Sequence, residues 1–122
     1  MRVYLFVAIF LLGFIPAYGL AQQDRFFQTL YDVPRMAELT EIADGAVFFD
    51  KPNGRIAQAL AFAEGVGRED IIKFYDAVLP QMGWRPISTG QYQRESDKLL
   101  IKFDKRDEAL LVKFTIRPFS YE

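Results

Sequence analysis

The chain has 122 residues, enough for one domain, and with 51% hydrophobic and 25% charged residues it has the make-up of a folding protein. Fifteen basic residues against sixteen acidic leave a formal charge of −1, so the chain as a whole offers no electrostatic footprint for nucleic acid. Cysteine and histidine are both absent, which excludes disulfides, thiolate nucleophiles, Ser-His and Cys-His pairs, Cys or His zinc ligands and a lipid-bearing cysteine.

Residues 1–21 have the pattern of a signal peptide. Arg2 is followed by an uncharged run from Val3 to Ile15, Pro16 breaks it, and Ala17-Tyr18-Gly19-Leu20-Ala21 places small residues for cleavage after Ala21, or alternatively after Gly19. The competing reading is an uncleaved anchor, since Val3 to Ala21 approaches the roughly 18–20 apolar residues of a spanning helix. Both readings leave the remaining domain outside the cytoplasm, periplasmic or secreted.

Residues 22–45 are expected to hold a short helix and a linker, from the helical spacing of Phe26, Phe27, Leu30 and Tyr31 before Val33-Pro34. The folded domain is then expected over residues 46–118. Ala46-Val47-Phe48-Phe49 reads as a strand, and the following Pro52-Asn53-Gly54 reads as a hairpin turn. The returning segment alternates Ile56, Gln58, Leu60 and Phe62 with Ala57, Ala59, Ala61 and Ala63. A period of two suits a strand, whereas alanine favours a helix, and both remain open.

From Arg68 the period lengthens, and Ile71, Tyr75, Val78 and Met82 mark the principal helix. Glu69 and Asp70 complement its dipole, Gly67 is a cap, Pro80 disturbs the last turn, and Gly83-Trp84 supplies a left-handed stop followed by a core tryptophan. The remainder reads as strands near 84–87, 91–94, 98–103 and 109–117, separated by polar turns. The fold class is therefore α+β, an N-terminal hairpin and a C-terminal meander packed on one helix, in the order β-β-α-β-β-β with a possible further strand.

Phe74-Tyr75 leading through Leu79 to Gly83-Trp84, between a strand pair and a meander, resembles a widespread type of small bacterial exported domain. The resemblance spans roughly residues 33–117 and implies a fold and a compartment; its motif residues have structural roles and it implies no catalytic activity.

No residue pattern specifies a chemistry. Ser96-Asp97-Lys98 has the composition of a solvated turn, Asp104, Asp107 and Glu108 are interleaved with Lys105 and Arg106 and lack calcium-loop spacing, and Gly65-Val66-Gly67 lacks the context of a dinucleotide fingerprint. No catalytic residue, metal ligand or cofactor is assigned. Alternation places Leu99, Ile101, Phe103, Leu110, Val112, Phe114 and Ile116 against the helix, and Leu100, Lys102, Leu111, Lys113, Thr115 and Arg117 on the opposite face. The mixture of Leu100, Lys102, Leu111, Lys113 and Arg117 is the candidate partner face. The expected function is a non-catalytic envelope module with a protein partner, contacting the membrane only through its leader. The alternatives are a binder of a small apolar ligand or lipid held between helix and sheet, and a carboxylate hydrolase.

Overall fold

Proline at residue 52 fixes the first corner of a tight turn, and the chain reverses there, with Lys51 pairing with Gly54. The computed structural model describes residues 25–52 and 54–119; the leader expected over residues 1–21 lies outside them. The two strands of the hairpin are β1, Leu39–Lys51, and β2, Gly54–Ala63. Helix α1, Arg68–Val78, follows, and a 3-10 turn over Leu79–Met82 extends it. Strands β3, Arg85–Ser88, β4, Gln91–Arg94, β5, Asp97–Arg106, and β6, Ala109–Pro118, complete the order. The fold is α+β, a six-stranded antiparallel sheet with one helix. No helix among the described residues is long and apolar enough to cross a membrane.

The local signals around the helix have physical counterparts. Gly67 is the N-cap residue, and its N–H donates to the Asp70 carboxylate at 3.1 Å. Pro80 lacks the N–H that would continue the α ladder, so the chain tightens into the 3-10 turn. Gly83, at φ 88°, then ends it in the left-handed conformation. Trp84 beyond the stop is 1% exposed and belongs to the core.

The sheet order is β1-β2-β6-β5-β4-β3, and it departs from the simple succession of a hairpin followed by a meander. The last strand of the meander, not its first, joins the hairpin. An 11-residue helix is about 16 Å long and the 3-10 turn adds about 8 Å, enough to cross the roughly 19 Å of four strand spacings and start β3 at the far edge. The meander then works back towards β2.

Segment 56–63 is a strand, and its alanines face inward. Ala57, Ala59 and Ala61 pair with Ile116, Phe114 and Val112, all buried on the helix side, while Leu99 and Ile101 continue that layer on β5. The alanines' small size leaves room above β2 for the N-terminal segment, whose Phe27, Leu30 and Val33 are buried in the same core.

That segment is not the short helix expected there. Residues 25–38 form turns and an isolated bridge between Phe26 and Pro34, held by Phe27 N–H to Val33 C=O and Val33 N–H to Leu30 C=O. Strand β1 begins at Leu39, so 39–45 are strand and irregular strand instead of linker, and the core takes in residues before 46. Phe26, Phe27, Leu30 and Tyr31 mimic helical spacing because successive turns also bring every third or fourth residue to one side; Val33-Pro34 follows too soon for a stable helix.

Candidate functional site

Because β5 and β6 pair in register along ten residues, strand alternation sorts their side chains onto two faces without ambiguity. The inward face carries Leu99, Ile101, Phe103, Val112, Phe114 and Ile116. On the outward face Lys98 lies opposite Arg117, Leu100 opposite Thr115, Lys102 opposite Lys113 and Asp104 opposite Leu111, with Arg106 at the end. All five residues of the candidate partner face, Leu100, Lys102, Leu111, Lys113 and Arg117, therefore share one side of the sheet. Leu100 is only 8% exposed and contributes little contact area.

The helix and the N-terminal segment pack against the other side, and the outward face has no described element lying across it except part of β1. Between Ile42, paired with Leu60, and Val47, paired with Gln58, four residues of β1 stand against Ala59 alone. This bulge leans over the sheet. Gly45 sits so close to Leu60 that a Cβ there would overlap the leucine side chain, and the Gln58 amide donates to Gly45 C=O at 3.4 Å. A trough of about 400 Å³ lies on the same face, lined by Gln58, Leu60, Leu111, Lys102, Lys113, Asp104 and Arg106.

Its charge is one-sided. Along β5 and β6 the outward face carries the cations Lys98, Lys102, Arg106, Lys113 and Arg117 against the single acid Asp104, which is held by Arg106 at 3.1 Å. Lys102 and Lys113 make no ion pair with a described residue. The near-neutral total therefore conceals a basic face, offset by acids elsewhere.

Gln58 and Leu60 of β2, and Arg106 of β5, belong to this site but were not among the residues singled out on the sequence. For the β2 pair, the usable signal is the alternation of Ile56, Gln58, Leu60 and Phe62, which mixes apolar and polar groups in the same manner as β5 and β6. Only the β2–β6 pairing, across some fifty residues of chain, brings the two patterns together.

A second polar cluster sits on the helix side. Asp32 Oδ2 accepts hydrogen bonds from Arg55 Nη2 at 2.7 Å and from Arg94 Nη2, and the Arg94 guanidinium lies 4.3 Å from the centre of the Trp84 ring. Burial alone would raise the Asp32 carboxyl, but the Arg94 hydrogen bond and the Arg55 charge more than offset it and hold it below its ordinary value. These contacts fasten the N-terminal segment to β2 and β4. Tyr75 acts similarly: its hydroxyl donates to Pro34 C=O at 2.8 Å and accepts from Met36 N–H at 3.1 Å. Burial pushes the Tyr75 hydroxyl above the usual tyrosine range, so it remains neutral and able to donate.

The aromatic residues between helix and sheet are spent on one another. Phe27 and Tyr75 approach Phe114 with ring centres 4.6 and 5.1 Å apart, in the space between helix and sheet that the alternative of an apolar ligand would use. A hollow of about 430 Å³ beside α1 is lined by Arg68, Glu69, Ile72, Lys73, Asp76 and Thr89, with charges of both signs, and Asp76 there accepts from the Tyr92 hydroxyl at 2.6 Å. No cluster of three or more metal-ligating acidic residues occurs among the described residues. No protein-family model matches the chain, and comparison with curated proteins and with solved structures returns no match.

Proposed function

We propose that this protein is an exported, non-catalytic interaction module of the cell envelope, delivered by the leader at residues 1–21 and working through the outward face of its sheet. The observation that carries the reading is the composition of that face on β5 and β6, five cations and one acid, beside Leu111 and the Leu60 of β2, in a chain whose total charge is −1. A solvated sheet face normally mixes both signs with few leucines. Leucines beside unneutralised lysines are the composition of a surface that is covered in use.

In-cell photo-crosslinking from position 111, with position 73 on the exposed side of α1 as reference, tests the surface. Adducts of discrete mass from 111 and none from 73 are expected; adducts from neither, or the same set from both, would remove the face from consideration. Fractionation of the same cells tests export, with a soluble extracytoplasmic form beginning at Gln22 as the expected product. Full-length protein in the cytosol with Met1 in place would overturn the compartment.

A further inference from the structure

The outward face carries two like-charge pairs in direct register, Lys98 opposite Arg117 and Lys102 opposite Lys113, flanking Leu100 and Thr115. Cations directly across from one another on adjacent strands repel and weaken a sheet, and any polar residue of β propensity at one position of each pair would avoid it. The one acid on the outward face of β5 and β6, Asp104, is already engaged by Arg106. Arg117 in addition keeps its Nε buried without a hydrogen-bond partner. The Lys98 ammonium lies 5.6 Å from the centre of the Phe119 ring, which leaves its charge in place, and none of the four cations forms an ion pair with a described residue, so the chain maintains two adjacent sites of excess positive charge.

We propose that this ladder holds an extended acidic and apolar segment of a partner protein, one carboxylate lying between Lys102 and Lys113 and a second between Lys98 and Arg117. The proposal rests on the reading of the outward face as the working surface and names the chemistry of what covers it. The two pairs are four residues apart on each strand, about 13 Å. An extended peptide laid along the sheet presents the same spacing between side chains four residues apart on its own inner face. Its intervening inward residue would meet Leu100 and Thr115, and the next apolar one would enter the trough over Leu60 and Leu111. A flat anionic membrane or a phosphate backbone satisfies the charges but leaves that apolar trough unfilled, whereas a strand alternating acidic and apolar residues matches both.

The probe is a capped synthetic peptide of threonines with glutamates four residues apart and leucines midway between and beyond them, added to protein purified from cells expressing the full chain. Binding that weakens at least tenfold when the glutamates become glutamines, falls with added salt, and weakens at least tenfold in the double variant Lys102→Gln, Lys113→Gln is expected. Lys73→Gln on the helix should leave it unchanged. Because the double variant relieves repulsion, its Tm should equal or exceed that of the parent, which separates lost binding from lost folding. Equal affinity for the glutamine peptide, or insensitivity to the double variant, would overturn the proposal. So would binding of phosphatidylglycerol vesicles or single-stranded DNA, but not of the peptide, through the same lysines. Should crosslinking from position 111 succeed while the peptide fails, the face stands and the acidic segment falls; should both fail, the face falls as well.

Discussion

Asp32 illustrates how one carboxylate can fasten a segment that has no regular structure of its own. Its two arginine partners come from the start of β2 and the end of β4, so its removal leaves two partly buried guanidiniums competing without an acceptor. A carboxyl whose folded pKa lies below its ordinary value of 3.8 contributes stability that is present above that value and lost as the pH falls through the lower folded one. Asp32→Asn should therefore cost on the order of 1–2 kcal/mol at pH 7 and converge with the parent in strong acid, read as chemical-denaturation midpoints across pH. Tyr75→Phe deletes a hydroxyl that serves both Pro34 and Met36. Leaving those backbone groups unpaired should cost about 1–3 kcal/mol, with faster hydrogen exchange at Met36. Trp84 is the largest fully buried side chain, and Trp84→Ala should cost ~3–5 kcal/mol, a large part of the ~5–15 kcal/mol typical of a domain. A variant melting within a few degrees of the parent would show that the ring is not core.

Among the elements, β1 and the β5–β6 pair depend most on close fit. The four-residue bulge of β1 approaches Leu60 only because residue 45 has no side chain, so Gly45→Val should force the bulge and the Leu60 side chain apart and disturb the trough that Leu60 lines. Weaker crosslinking from position 111 with little change in helix content by circular dichroism is the expected pattern. In β5–β6, Lys113→Thr removes a cation facing Lys102 and introduces a good strand former. A gain of about 0.2–1 kcal/mol, or roughly 1–6 °C in Tm for a domain of this size, is expected. A gain in Tm would show that the Lys102–Lys113 pair costs the fold stability, as the functional reading of the ladder requires, and a Tm that falls instead would count against that reading.

At the scale of the whole molecule, the two sides of the sheet have separate duties: one is closed by α1 and the N-terminal segment, the other carries the excess positive charge. Much of this was legible in the chain. The period of the apolar residues over 99–117 assigns both faces correctly, because a strand has only two sides and alternation chooses between them. The stop at Pro80 and Gly83 follows from a missing N–H and a left-handed backbone, both local properties. The inward orientation of the β2 alanines was not legible, since alternation says that Ala57 and Leu60 point opposite ways but not which of them faces the core. Helical spacing misled over 26–31 because a turn-rich loop can bury Phe27 and Leu30 equally well once Arg55, Arg94 and Tyr75 hold it in place. The sequence by itself determined the principal helix and its ends, the four C-terminal strands and the partition of β5 and β6 into two sides, all of which depend on neighbours a few residues apart; it left β2 open between strand and helix and read only the second half of β1. The insertion of β6 beside β2, the trough it creates with Leu60, and the docking of the N-terminal segment were decided only in the tertiary structure, since each depends on groups tens of residues apart whose meeting no local preference encodes.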